Sequence, residues 1–512
     1  MLSVLMTTEG TYPYSGGGVS TWCDALLRNT PDIRWTLLPL MMNPHIEQKF
    51  EPPDNVRRIL GVPLWGIEEP AEFITDIPFA QHYDRKRRTN EEVIAREFLP
   101  LLRDFLGVVC GDTGDSVTFG RVLTGMEDYF RQYDYNETFK SEPVWSTFKE
   151  VVEDFSREMW QRDARPGADV QMPSLFDLTE SLRWLYHFLV VLNVRVPRVQ
   201  VTHSTAAAFC GIPCITAKVR HGTPMILTEH GVYLREQYLF LSRFRRLFFC
   251  KQFLLNLITA VVRANYHFAD VVAPVCHYNT RWEVAQQTPQ QKIRVIYNGV
   301  DPEFFSPEAP SHAAKPAGQA PPLQRAGRAD DRWHVVATAR IDPLKDIETL
   351  LRVAARTKES RRNVKFTVYG SVADDAYYRR CLTLRKRLGV DDSVTFGRAT
   401  DDVVSAYRDA DVVLLTSISE AFPYSVIEAM ACEKAVVASD VGGVGEALEG
   451  CGLMVKPRDD EGFARALTQL LDDPNLRLRL GQKARQRVLE EFRLDDSIGK
   501  YVDLYRGLAK TA

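Results

Sequence analysis

The chain has 512 residues, 45% hydrophobic and 26% charged, with 64 basic against 67 acidic side chains and a net charge of -3. That length suits two domains, each with a full core, rather than one. The balanced charge excludes the basic excess of a nucleic-acid binder. The nine cysteines form no CxxC pair and no ligand-like cluster with histidine, so they read as reduced thiols rather than as a disulfide framework or a metal site.

Met1 to Glu9 runs into a strand-like stretch over Val4–Thr8 without a basic leader, which is not the pattern of a signal peptide. Ser15-Gly16-Gly17-Gly18-Val19-Ser20 follows. Its glycines let backbone approach a ligand and open the next helix, or they form a plain turn; the spacing is not GxGxxG. A strand is expected over Trp35–Pro39. From about His45 to Asn193 the text turns aromatic, charged and helical, which predicts a large insertion in the first sheet, with Arg85-Lys86-Arg87-Arg88 as a solvated helix face.

Strands resume over Arg198–Thr202, Met225–Thr228, Val271–Pro274 and Ile293–Tyr297. His203 closes the first of these, Glu229-His230-Gly231 closes the second, and Asn298-Gly299-Val300-Asp301 closes the last. Leu239 to Arg263 mixes aromatics with Arg243, Arg245, Arg246 and Lys251, the pattern of a helix that grazes a membrane surface or of one packed on a core. No apolar run reaches membrane-spanning length.

Glu308 to Arg332 is rich in Pro, Ala and Gly and reads as an exposed linker. The expected organisation is therefore a domain over 1–307, a linker over 308–332, a domain over 333–494, and a helix over 495–512 returning to the first. After the linker, strands over His334–Thr338, Val364–Tyr369, Val394–Phe396, Val412–Thr416 and Ala435–Ala438 alternate with helices over Ile347–Thr357, Tyr377–Leu388 and Asp401–Arg408. This alternation predicts a parallel sheet covered on both faces.

Ligands of such sheets sit at the carboxyl ends of the strands. Arg340 and Lys345 follow the first strand after the linker, where a guanidinium and an ammonium could grip a diphosphate from two sides, or serve as surface charges. In Ser419-Glu420-Ala421-Phe422-Pro423-Tyr424-Ser425-Val426-Ile427-Glu428, Glu420 lies in a loop, Pro423 starts a helix and Glu428 lies one to two turns in. The backbone N–H groups of Tyr424, Ser425 and Val426 are expected free for an anion. Gly442-Gly443-Val444-Gly445 follows the next strand, as a ligand-side loop or a tight turn. Asp409-Ala410-Asp411 stands at a strand entry, the wrong end for a cleft, so no metal is expected.

Taken together, the glycine loop, His230, Asn298 to Asp301, Arg340 with Lys345, and the Glu420/Glu428 pair resemble the retaining glycosyltransferases of family four, with the GT-B fold. The opening segment, Thr228-Glu229-His230-Gly231 and the inserted region resemble the PelF subgroup, which serves Pel exopolysaccharide synthesis in the cytoplasm. The resemblance implies an α/β chain of two Rossmann-like, doubly wound parallel-sheet domains facing a cleft, with the helical insertion in the first.

It also implies a UDP-sugar donor, a polysaccharide acceptor, no metal, no cofactor, and an inner-membrane synthesis and export complex as partner. Arg340 and Lys345 would hold the diphosphate, Glu428 the ribose, and Glu420 the transferred sugar. Tyr424, Ser425 and Val426 would offer N–H groups to the phosphates. Asn298 would join the donor site, Gly17 and Gly18 would border donor and acceptor, and His230 would sit beside the reacting sugar. Ala339 and Asp346 stand where many members of the family have glycine. A lipid or small-molecule acceptor, or a non-catalytic nucleotide-sugar scaffold, is the alternative.

Overall fold

The computed structural model describes residues 1–66, 73–74, 77–163, 172–242, 248–308, 332–397 and 402–510. Two compact units emerge: unit 1 comprises Met1–Pro274, Thr280–Val295 and Tyr501–Ala512, and unit 2 comprises Val275–Asn279 and Ile296–Lys500. Most of the expected linker, and Arg243, Arg245 and Arg246, lie outside the described residues.

Unit 1 is built on a parallel sheet of β1 (Leu2–Glu9), β2 (Ile33–Met41), β3 (Val56–Ile59), β4 (Val62–Pro63), β5 (Val201–Ser204), β6 (Met225–Glu229) and β7 (Val271–Pro274). Its order is β3-β2-β1-β5-β6-β7, with β4 also paired to β2, and β1 aligns with β2 from Leu2↔Ile33 to Glu9↔Leu40. Val4, Leu5 and Met6 are wholly buried in succession, as expected of a strand covered on both faces.

Between β4 and β5 run the helices Phe79–Arg88, Leu99–Leu106, Ser116–Phe130, Glu142–Asp163 and Leu175–Phe188. They share one core with the sheet: Phe98, Phe105, Phe119 and Phe148 join Leu5, Leu38 and Leu40. Each such aromatic contributes roughly 1.5–3 kcal/mol by leaving water.

Unit 2 carries β8 (Trp333–Thr338), β9 (Val364–Tyr369), β10 (Val394–Gly397), β11 (Val412–Leu415), β12 (Ala435–Ser439) and β13 (Leu453–Val455), all parallel, in the order β10-β9-β8-β11-β12-β13. Both sheets are doubly wound, and each reverses its strand order at one place: β1 beside β5, and β8 beside β11. Those are the positions where such sheets open a ligand crevice at their carboxyl ends.

Four expectations need correction. The insertion begins after Pro63 rather than near His45, because β3 and β4 already belong to the sheet. Two of β3's four residues are arginines, so the strand lacks an apolar signature, as suits its place at the edge. The segment 293–297 forms no strand beyond the single bridge Val272↔Ile293. Residues 275–279 and 296–308 group with unit 2 rather than with the rest of 1–307: Val300 bridges Arg493, and the Tyr297 ring packs on Phe422 and Phe492. The final helix spans Leu494–Ala509, and only its part from Tyr501 onward groups with unit 1. Among the described residues, no helix is long and apolar enough to cross a membrane.

Candidate functional site

The reversal between β8 and β11 brings two loops together. After β8, Asp342 caps the short turn Pro343–Lys345 by accepting from the Leu344 N–H at 2.8 Å. Asp346 then takes a left-handed backbone, φ 45° and ψ 52°, and caps the helix Ile347–Ser360 through Thr349, whose hydroxyl donates to its Oδ2 at 2.7 Å. A side chain at positive φ costs on the order of 1 kcal/mol or more, which glycine would avoid. The loop is stitched to the end of β11, where the Thr416 hydroxyl donates to the Lys345 and Asp346 carbonyls, each at 3.1 Å. The Ile418 N–H donates to the Leu344 carbonyl at 2.8 Å.

This stitching sets Lys345 Nζ 2.6 Å from Glu420 Oε1, with the two side chains only 20% and 10% exposed. The pair joins a cation that can meet an anion to a carboxylate that can accept from hydroxyls. Lys345 and Arg340 were expected on one group. Instead Arg340 stays exposed, 3.6 Å from Asp342 Oδ2, and Lys345 turns to Glu420. An ammonium is drawn to a carboxylate and repelled by a guanidinium, so Lys345 pairs with Glu420, seventy-five positions along the chain, rather than lying beside Arg340.

Pro423 stands as the cap of the helix Tyr424–Ala431 rather than as its first residue. The Val426 N–H, expected to be free, already donates to the Pro423 carbonyl at 3.2 Å, which corrects that reading. Tyr424 and Ser425 hold the first two positions of the helix. Glu428, half-buried, accepts from the Tyr407 hydroxyl at 2.8 Å, and that hydroxyl also meets Thr338 Oγ1 at 2.6 Å. Burial pushes the Glu428 carboxyl up to about 7, against the opposing pull of the Tyr407 bond.

Two further residues shape the Glu420 loop. Gly442 has φ +58°, and a Cβ there would overlap the Glu420 carbonyl, while the Gly443 N–H donates to the Ala421 carbonyl at 2.6 Å. Asn298 is buried and gives its amide to the Phe422 carbonyl at 3.0 Å, so it braces the loop that carries Glu420.

Sequence reasoning missed Tyr407, Thr338, Thr416 and the bracing role of Gly442. Thr338 and Thr416 each end a predicted strand, a signal that could have drawn notice. Tyr407 reads only as an apolar position of an amphipathic helix. Asp411, at the opposite edge of the sheet, accepts from the His334 N–H at 2.8 Å.

In unit 1, Gly17 caps the helix Gly18–Arg28 at φ 139°, with open space where a Cβ would point. His230 closes β6 against the Trp22 ring, centroids 4.6 Å apart, and its buried Nε2 meets no hydrogen-bond partner. Burial pushes its imidazole down to about 3, so it is neutral near pH 7. His203 differs: its Nδ1 meets the Tyr505 hydroxyl at 2.6 Å and its Nε2 meets Thr228 Oγ1 at 2.8 Å. Thr228 in turn donates to the Tyr501 hydroxyl at 3.1 Å. His203 thus fastens the final helix to β5 and β6.

Residues 2–291 match the family model described as "Domain of unknown function (DUF3492)", and residues 323–487 match "Glycosyl transferases group 1". The D-inositol 3-phosphate glycosyltransferase of Salinispora arenicola (strain CNS-205) is 31% identical over 224 residues, 42% of this chain and 49% of that protein. The chain spans about half the length of the curated relatives it matches.

Among solved structures, sucrose-phosphate synthase from Thermosynechococcus elongatus aligns over 100% of both chains with a TM-score of 0.59 and 18% identity. Anabaena HepE in complex with UDP-glucose aligns over 99% of this chain and 100% of its own, with a TM-score of 0.58 and 13% identity. At those identities the likeness is one of fold: two Rossmann-like parallel-sheet domains of the GT-B type.

Proposed function

We propose that the chain, which belongs to the family described as domain of unknown function (DUF3492), is a retaining, metal-independent glycosyltransferase that moves a sugar from a UDP-sugar to a growing Pel-type polysaccharide on the cytoplasmic side. The observation that carries the reading is the Lys345–Glu420 pair, 2.6 Å apart at the strand-order reversal of unit 2, with Glu428 and Tyr407 held nearby. The match of residues 323–487 to group 1 glycosyl transferases supports it, as does a fold shared with a protein solved with UDP-glucose.

Cleaving a glycosyl–phosphate bond leaves positive charge on the sugar ring and negative charge on the departing diphosphate. Lys345 and the exposed Arg340 supply cations for the diphosphate, aided by the first N–H groups of the helix Tyr424–Ala431. Ligand contact with Lys345 relieves Glu420 of its ammonium and frees its oxygens for sugar hydroxyls. Glu428, poised near neutrality, accepts from the ribose. In a front-face transfer the leaving phosphate oxygen takes the acceptor's proton as the new bond forms on the same face, so no side-chain base is needed. The neutral His230, with Nε2 unpartnered, is fitted to bond a sugar hydroxyl rather than to carry charge.

A small-molecule or lipid acceptor is the second reading, favoured by the name of the Salinispora arenicola relative. Incubating the full chain with single UDP-sugars, with and without an oligosaccharide acceptor, tests both. UDP release that needs the oligosaccharide supports the first reading, and release that needs only a polyol or lipid supports the second. No release with any donor defeats the enzyme reading.

A further inference from the structure

A cavity of about 710 Å³ opens in unit 1 at the carboxyl ends of β2 and β3. Met41, Ile59, Phe73 and Val194 form apolar wall, and Arg58 and Arg195 stand at its polar side. Both arginines are exposed, and among the described residues neither forms an ion pair or a side-chain hydrogen bond. Two uncompensated guanidiniums beside an apolar hollow suit a ligand with an anionic head and an apolar body.

The neighbouring surface has the same character. The helix Phe79–Arg88 buries none of its residues and ends in Arg85, Lys86, Arg87 and Arg88. Phe79 and Tyr83, one turn apart on the same face, are 84% and 62% exposed, and Phe73 at the cavity is 55% exposed. Burial, with the charge of nearby Arg195, holds the Arg85 guanidinium below its ordinary range, so the helix passes beside the cavity with Arg85 on the flank away from Phe79 and Tyr83. Aromatic groups beside a basic run on one helix mark a surface that sinks into the headgroup layer of an anionic bilayer.

We propose that this face of unit 1 binds an anionic membrane surface directly, with a lipid phosphate held by Arg58 and Arg195 at the cavity mouth and with Phe79 and Tyr83 in the interface. The site is separate from the donor pocket proposed in unit 2, and its test does not depend on turnover.

Cosedimentation of the full chain with vesicles provides that test, using phosphatidylcholine alone or mixed with phosphatidylglycerol. Binding is expected only to the mixed vesicles and should fall steeply between low and high salt. Arg58→Gln with Arg195→Gln, and separately Phe79→Ser with Tyr83→Ser, should each weaken it at least about tenfold, because the first pair removes charges that attract anionic lipid and the second removes apolar groups seated in the interface. Thermal unfolding of each variant should match that of the parent chain, since all four side chains are exposed. Equal binding to neutral vesicles, or binding unchanged in both double variants, would overturn the proposal. So would competition by millimolar inorganic phosphate that abolishes vesicle binding at constant ionic strength, since that marks a free-phosphate site.

Discussion

Each sheet gathers acids and tyrosines at its carboxyl edge, and the two units handle them in opposite ways. In unit 2, Glu420 meets Lys345 at 2.6 Å, so its charge is balanced by a cation that a ligand can draw away. In unit 1, Glu229 and Glu283 are buried, Tyr266 donates to Glu229 Oε2 at 2.6 Å, and Glu229 Oε1 and both Glu283 oxygens meet no hydrogen-bond partner among the described residues. Burial raises both carboxyls above their ordinary range, so they keep a proton between them. Under the proposed function, the carboxylate that would meet a ligand is paired with a cation, whereas the acids that only join elements are neutralised and sealed. Glu428 stands between the two cases, half-buried with a single tyrosine donor.

The largest effect should come from removing the cation. Lys345→Ala is expected to lower UDP-sugar turnover by about 10²–10³-fold, the usual cost of losing one electrostatic stabiliser. Steady-state UDP release measures it, and Arg340→Ala, at a more exposed position, should cost less. Gly442→Ala comes next. Its Cβ would overlap the Glu420 carbonyl at a positive φ, so stability should drop by about 2–3 kcal/mol and turnover should fall with it. Denaturant unfolding with parallel kinetics would show both losses; a variant as stable and active as the parent chain would break the account of the loop.

Unit 1 answers to stability rather than to turnover. His203→Ala deletes two buried hydrogen bonds, to Tyr505 and Thr228, and should destabilise the chain by about 2–4 kcal/mol. Its pH dependence has two sides. Burial pushes the His203 imidazole down to about 3, so the unfolded chain takes a proton that the folded chain refuses, and stability falls by about 1.4 kcal/mol per pH unit below about 6.5. Glu229 and Glu283 hold their proton to higher pH when folded, so their contribution declines as pH rises from the ordinary carboxylate range through neutrality. Unfolding measured from about pH 4 to 9 should therefore peak between the two, and Glu283→Gln should flatten the alkaline side alone.

The smallest effect separates Glu428 from Glu420. Tyr407→Phe removes the donor that lowers the Glu428 carboxyl, so the inflection in donor KM expected near pH 7 should move upward, with KM at neutral pH raised about tenfold or less. A pH profile identical to that of the parent chain would remove Glu428 from the ribose.

Much of the fold was legible because its strands are short β-branched runs at regular intervals. Val364–Tyr369 and Val271–Pro274 appear at their predicted bounds. The strand β3 escaped because Val56-Arg57-Arg58-Ile59 places two arginines in an edge strand. At the site, Pro423 and the eight-residue spacing announced a loop and a helix, and the structure sets Glu420 and Glu428 in them. What spacing does not encode is partnership. Lys345 chooses Glu420 across 75 positions, His203 reaches Tyr505 across 302, and Asn298 braces Phe422 across 124. Each depends on which strands the sheet makes neighbours, and a reading of local pattern leaves that order open.

The central claim is that unit 2 binds and activates a UDP-sugar through Lys345 and Glu420. Its most direct test measures UDP release from the full chain with UDP-glucose, UDP-N-acetylglucosamine and UDP-N-acetylgalactosamine in turn, beside Lys345→Ala and Glu420→Gln. The account predicts release from at least one donor, without added metal, and a loss of about 100-fold or more in both variants. Release that persists undiminished in both variants, or its absence with every donor, would contradict it.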